Sequence, residues 1–479
     1  MLPTDDLAQS SRPLCVDLDG TLLRGDMLHE SLLRLISINP LYIFLLPFWL
    51  FGGKARFKRE ISSRVNIDPA SLIYDDRVIE LLKKTNARPR VLCSATDEKF
   101  THSIAEFLML FDEVASSNGR INLAGRAKAK YLVDRFGERG FDYMGNAPID
   151  LAVWERAAGA WVVNGDKSLA SKASAVTNVR GVLPKTTAAG IKTWIKAIRV
   201  HQWLKNLLIF LPVLASHRLF EPHAVAVSLL AFLSFGLCAS GVYVLNDLLD
   251  LESDRKHPRK RLRAFAAGVL PINQGLLAAP TLTLAGFALA WIIGPSFFMV
   301  ILGYYALTLA YSLRLKRVVM VDVILLAALY TIRIIAGTVA ISAPLSFWLL
   351  AFSMFVFLSL AMLKRYTELD AMLSSGKRAA SGRGYKVEDL ALIQSLGASS
   401  GYIAVLVLAL YINSPESLLL YSHPKVLWLV CPVLLYWMSR VWIIAHRGGM
   451  DDDPVVFAAK DNVSRIVIAV CGVLAVAAL

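Results

Sequence analysis

The chain has 479 residues, 56% of them hydrophobic and 18% charged, with a formal net charge of +14. A mean hydropathy of +0.53 excludes an ordinary soluble enzyme, and the length leaves room for more than one domain. Basic residues crowd into short segments beside apolar runs rather than along a polar surface, which points to phosphates or anionic lipid and excludes nucleic acid as the main partner.

From residue 1 to 178 the pattern predicts an α/β domain with a parallel sheet. Short apolar strands (PLCV, RVLCS, AWVVN) alternate with amphipathic segments such as KAKYLVDRFGERG. The N-terminal MLPTDDLAQSSRP has no charged region followed by an apolar one, so no cleaved leader is expected and the domain should stay in the cytoplasm. Within a cap at about 26–88, the stretch LYIFLLPFWLF is aromatic and apolar but too short to span a bilayer, which takes about 20 helical residues. It reads as an interfacial insertion, with a buried cap helix as the alternative.

A Lys- and Gly-containing linker at 179–195 leads to a membrane domain at 196–479, where apolar stretches predict about nine transmembrane helices in an all-α polytopic bundle. Two of these stretches, at 204–215 and 398–412, are short. The loops DRKHPRKRLR, RLKR and KRYTELDAMLSSGKRAASGRGYK are basic, whereas GPS, SAPL and NSPESLLLYSHP carry almost no positive charge. Basic loops stay inside, so the N-terminal domain is cytoplasmic, the membrane is the inner (plasma) membrane, and an odd number of spans leaves Leu479 outside. The five cysteines lie in apolar runs without metal-ligand spacing and read as buried thiols.

In LCVDLDGTLLRGD an apolar strand ends on Asp17 and Asp19 beside a tight turn, a place suited to Mg2+ and phosphate. Asp17 is placed to attack phosphorus, and Asp19 to act as general acid. The string DxDGT after a strand resembles the haloacid dehalogenase superfamily, whose fold is Rossmann-like. That resemblance implies a phosphate-binding hydroxyl at Ser94 and a phosphate-neutralising lysine at Lys128. It also implies a Mg2+ site of Asp17, Asp19, Asn146 and Asp150. The usual acid pair of the fourth motif has Asn146 in place of its first acid, and a neutral amide oxygen weakens the metal site.

In YVLNDLLDLESDRKHPRKRLRAFAAG a charge-free span runs into Asn246, Asp247, Asp250 and Asp254. The three acids at i, i+3 and i+7 share one helix face and would repel one another without a cation, so Mg2+-diphosphate is the natural guest. A solvated juxtamembrane charge run fits Arg255 to Arg263 better than it fits the acids. NDxxDxxxD followed by HPRKR is similar to the first signature of the UbiA-type prenyltransferase superfamily, with Ala264 standing where an Arg-Pro pair is usual.

Within that superfamily the chain most resembles the decaprenylphosphoryl-5-phosphoribose synthase branch. RVHQWLKNLLIF carries Lys205 and Asn206; the stretch from YSLRLKR to TIRIIAG carries Lys316, Asp322 and Arg333; LAMLKRYTEL carries Lys364, Arg365 and Glu368. The resemblance implies a site holding a diphosphate-activated phosphosugar and a polyprenyl phosphate, in which cations offset the repulsion between two anions. Asp322 and Arg333 are eleven residues apart, too far to pair, so each needs its own partner. The alternative is a prenyltransferase moving a polyprenyl group from its diphosphate to an aromatic or other small acceptor. A lipid-binding protein on a degenerate scaffold would leave the acid stripe unexplained.

Overall fold

A computed structural model of the protein describes residues 11–85, 88–185, 190–374, 384–450 and 454–479. Most of the N-terminal segment used against a leader, the middle of the linker and part of the third basic loop lie outside the described residues.

The chain divides into two compact units: Met1–Ile198 with Tyr243–Pro280, and Arg199–Val242 with Thr281–Leu479. In the first unit six parallel strands, β1 (Leu14–Val16), β2 (Arg90–Asp97), β3 (Glu113–Ser117), β4 (Asp142–Gly145), β5 (Gly159–Val163) and β6 (Asn178–Leu183), pair in the order β3-β2-β1-β4-β5-β6. Both faces are covered: Leu14 and Val16 point into one apolar cluster, and Cys15, Val91 and Cys93 into another. Two-sided burial explains why β1 and β5 read as unbroken apolar runs rather than alternating ones. The strand order reverses at β1, which puts a crevice at its carboxyl end between β2 and β4. β6 pairs with β5 and lies beyond the boundary expected at residue 178, because its sequence NVRGVL is too polar to stand out.

Helix α1 (Met27–Ile38) starts at Asp26, whose carboxylate accepts the Leu28 and His29 amides. The aromatic stretch forms a 3-10 turn at Pro40–Phe44 and a short helix α2 (Leu46–Phe51). It is not a buried cap helix. Tyr42, Leu46 and Trp49 pack on the core, while Phe44, Phe48 and Phe51 stay 69%, 71% and 89% exposed. Helix α3 (Lys54–Ser62) follows.

The remainder is helical: α4 (Pro222–Leu249), α5 (Leu251–Lys256), α6 (Ile272–Ile293), α7 (Pro295–Leu313), α8 (Val321–Ala340), α9 (Phe347–Ser374), α10 (Leu390–Ile412), α11 (Val430–His446) and α12 (Asn462–Ala478). Among the described residues, seven helices are long and apolar enough to cross a membrane, and the bent pair Pro454–Lys460 with α12 makes an eighth. The expected first span is the shorter apolar helix Val200–Ala215. Its Val200–Phe210 part is 3-10, and only Leu211–Ala215 is α-helical. With rises of roughly 2.0 and 1.5 Å per residue these two parts reach about 30 Å, the thickness of the hydrocarbon core. Nine spans therefore fit if this stretched helix crosses. Gly337 of α8 permits its close approach, since a β-carbon there would lie 2.1 Å from the Ile209 carbonyl oxygen.

Candidate functional site

Three clusters of the expected residues form. At the carboxyl end of β1, Asp17 accepts from the Lys128 ammonium at 2.6 Å, and Lys128 also donates to the Tyr143 hydroxyl at 2.9 Å. Tyr143 in turn donates to Asp150 at 3.0 Å. The other oxygen of Asp150 accepts the Asn146 and Ala147 amides, each at 3.0 Å, which fixes the loop after β4. Asp19 accepts the Met27 amide at 2.8 Å and the Thr96 hydroxyl at 2.7 Å. Gly20 has φ +73°, and a β-carbon there would come within 2.1 Å of the Asn146 amide nitrogen, so only glycine fits this turn.

Burial pushes the Asp17 carboxyl up to about 7, against the pull of Lys128 and with further repulsion from Asp150 and Asp19. Burial, and then Asp26, push Asp19 up to about 6. Lys128 is held charged: burial, the largest single effect, opposes its charge, but Asp17, Cys93 and Asp150 together outweigh it. A cavity of about 440 Å³ opens here, lined by Asp17, Asp19, Lys58, Thr96, Lys128 and Asn146 among others. Ser94 is fully buried, its hydroxyl accepting the Thr96 amide at 3.0 Å, and is not among the lining residues. Thr96, two residues further along the same strand, presents its hydroxyl there instead. Lys58, which reaches the Ala95 carbonyl at 2.6 Å, was not foreseen either, since nothing local marks one lysine of KARFKRE.

The acid stripe is not one continuous helix. α4 ends at Leu249, and Asp250 caps α5 with φ −95° and ψ 8°. The i to i−4 amide bonds of Asp250 and Asp254 nevertheless persist, at 2.9 and 2.8 Å. Arg263 bridges the two ends, its guanidinium 3.2 Å from Asp247 and 2.6 Å from Asp254. Arg255 and Arg263 are thus built into ion pairs and do not belong to a solvated charge run. Burial pushes the Asp254 carboxyl up despite Arg263, and its second oxygen is buried without a hydrogen-bond partner among the described residues. Ala264 sits at the loop bend, its carbonyl accepting the Val269 and Leu270 amides at 2.9 and 3.0 Å.

In the second unit, Asp322 of α8 is fully buried, accepting the Tyr311 hydroxyl at 2.7 Å and the Arg365 guanidinium, which also holds Glu368. Arg333 donates to the Asn206 side-chain oxygen at 2.9 Å, to the Leu329 carbonyl and to the Tyr304 hydroxyl at 3.3 Å. Lys205 and Arg333 both lie against the Tyr330 ring, at 5.6 and 5.7 Å. The Asn206 amide nitrogen is buried without a partner among the described residues. Asp322 and Arg333 therefore have separate partners, as their spacing requires. Lys364 precedes Arg365 on α9, and Lys316 is half-buried in the turn Leu315–Arg317. The tyrosines that complete these clusters carry no signal in an apolar sequence.

The donors at both acidic sites are hard oxygens, which suits Mg2+. Among the described residues no three His, Cys, Asp or Glu side chains are gathered closely enough to hold a metal ion by themselves. A magnesium ion would take further oxygens from phosphate and water, as it commonly does.

Residues 207–462 match the model of the UbiA prenyltransferase family. The uncharacterized protein y4nM of Sinorhizobium fredii is 36% identical over 457 residues, 94% of this chain and 88% of that protein, so the likeness runs through both parts. The decaprenyl-phosphate phosphoribosyltransferase of Mycolicibacterium smegmatis is 32% identical over 290 residues, 59% of this chain and 90% of that enzyme. Solved structures similar to the chain include a probable phosphoserine phosphatase from Vibrio cholerae, with TM-score 0.29 and 13% identity over 38% of this chain and 64% of that one.

Proposed function

This chain belongs to the UbiA prenyltransferase family and is an integral membrane protein, and from that premise we propose that it transfers a phosphoribosyl-type group from its diphosphate to a polyprenyl phosphate. The observation that carries this reading is the likeness to the mycobacterial phosphoribosyltransferase over nine-tenths of that enzyme, 90% of its length. The polar residues of the second unit support it: Lys205, Asn206 and Arg333 gather at one aromatic-lined place, and Asp322, which a second acid pair would need for metal binding, is engaged by Arg365.

In this reading Asn246, Asp247, Asp250 and Asp254 would hold Mg2+, which, when bound, would neutralise charge on the diphosphate leaving group. Lys205, Lys316, Arg333, Lys364 and Arg365 supply positive charge for the phosphates, and Asn206 and Asp322 orient these cations. The lipid phosphate oxygen attacks the anomeric carbon, and the bond to diphosphate breaks. The protein works in the inner membrane, with the N-terminal domain and basic loops cytoplasmic.

The N-terminal domain is read as a phosphatase. Asp17 attacks phosphorus, Asp19 protonates the leaving oxygen, and Lys128 with the Thr96 hydroxyl, in place of the buried Ser94, holds the phosphate. Asp17, Asp19, Asn146 and Asp150 would hold its Mg2+.

The transfer is tested by supplying the purified chain with Mg2+, phosphoribosyl diphosphate and polyprenyl phosphate, and following lipid product. Asp247→Ala and Asp250→Ala should each reduce product at least about 100-fold, as loss of charge stabilisation does elsewhere. Transfer from a prenyl diphosphate to an aromatic acceptor, with none from phosphoribosyl diphosphate, would replace this reading by the aromatic prenyltransferase one.

A further inference from the structure

The segment Tyr243–Pro280 belongs to the same compact unit as the parallel sheet, and its contacts there are specific. Arg255 of α5 pairs with Glu30 of α1 at 2.6 Å, both side chains 9% exposed, and also donates to the Ser71 carbonyl at 3.3 Å. Lys256 reaches Asp68 at 3.0 Å, and Arg34 reaches Glu252 at 3.4 Å. Gly268, with φ +67°, lies so close to Ile73 that a β-carbon would come within 3.0 Å of it. A buried, bidentate arginine pair of this kind fixes position as well as charge.

The consequence appears at the cavity beyond β1. Besides Asp17, Asp19 and the two lysines, its wall includes Pro271, Ile272 and Asn273. Ile272 and Asn273 begin α6, which is 22 residues long and apolar enough to cross a membrane. One helical turn rises about 5.4 Å, and the headgroup layer on each side of the hydrocarbon core is roughly 5–8 Å thick. The 22 residues of α6 rise about 33 Å, just over the thickness of the hydrocarbon core, so its first residues stand where that core meets the headgroup layer, and the cavity they line lies beside that boundary.

We propose that this cavity takes the phosphomonoester of a membrane-anchored lipid headgroup, not of a diffusible metabolite, because the first turn of a membrane-crossing helix forms part of its wall. The proposal rests on the phosphatase reading of the domain. A volume of about 440 Å³ accommodates a sugar phosphate but not a polyprenyl chain, which must leave through the mouth. Lys58 and Lys128 offset the charge of a phosphate dianion. The same unit exposes Phe44, Phe48 and Phe51, followed by exposed Lys54 and Arg56, a combination suited to an anionic bilayer surface. In the reaction an Asp17 oxygen bonds to phosphorus as the bond from phosphorus to the sugar oxygen breaks. Asp19 gives that oxygen its proton. Water then attacks the aspartyl phosphate, returning a proton to Asp19 and releasing inorganic phosphate and the hydroxyl lipid.

The test uses the full chain in vesicles of phosphatidylethanolamine and phosphatidylglycerol and measures phosphate released from three probes: p-nitrophenyl phosphate, ribose 5-phosphate and a synthetic polyprenylphosphoryl ribose 5-phosphate. The lipid ester should be cleaved with kcat/KM at least about ten-fold above ribose 5-phosphate, since anchoring raises its local concentration and its headgroup meets the wall it is shaped for. Asn273→Trp should lower that ratio. Ribose 5-phosphate cleaved as well as the lipid by the unaltered chain would overturn the proposal without touching the phosphatase reading. Failure to cleave even p-nitrophenyl phosphate would remove both, and because the lipid ester is supplied ready-made, neither outcome depends on the transferase.

Discussion

Asp19 shows how one side chain carries both a structural and a chemical role. It closes the DxDGT turn by accepting from Met27 and Thr96, and burial with Asp26 nearby lifts its carboxyl to about 6. An acid with a raised pKa holds its proton more tightly in the folded chain than in the unfolded one, where it titrates near 4. Folding then takes up protons, so this contribution to stability is greatest below about pH 4 and is lost as pH rises through about 6. Without added Mg2+ or phosphate, the melting temperature of the N-terminal unit should fall by a few degrees between pH 4.5 and 7. In Asp19→Asn that fall should be smaller; an unchanged slope would show that another group sets it. The residue motif was legible because strand, turn and acids are consecutive. Thr96 and Lys58 were not, because their approach depends on how β2 and α3 pack.

At the scale of elements, Asp322 ties three membrane helices together: it begins α8, accepts from Tyr311 of α7, and pairs with Arg365 of α9. Removing one partner of a buried ion pair costs roughly 3–5 kcal/mol when the other charge is left uncompensated, but Arg365 keeps Glu368, so the loss of Asp322 should cost less. Asp322→Ala should therefore lower the melting temperature in detergent by a few degrees, and adding Arg365→Met together with Glu368→Gln should restore part of it. A single variant as stable as the parent but inactive would instead place Asp322 in direct contact with substrate. Helix lengths were legible from hydropathy. The 3-10 geometry of Val200–Phe210 was not, because nothing in its composition sets it apart from an α-helix.

For the whole molecule, the stretched Val200–Ala215 helix decides the topology. If it and the bent C-terminal pair both cross, nine spans put the N-terminal domain and the C-terminus on opposite sides. An alkaline phosphatase reporter fused after Leu479 should be active, and a fluorescent reporter that requires the cytoplasm should be dark there. The opposite pattern would mean that one of these two segments does not cross.

The sequence by itself determined the two-part organisation, the parallel α/β sheet, the membrane helices and both acidic motifs, since each is written in consecutive residues with a fixed period or spacing. Only the tertiary structure decided that Tyr243–Pro280 joins the sheet domain, that Arg263 bridges Asp247 and Asp254, and that Pro271–Asn273 line the cavity of Asp17. Each of these brings together residues far apart in the chain, and side-chain packing leaves no periodic trace in a sequence to announce it.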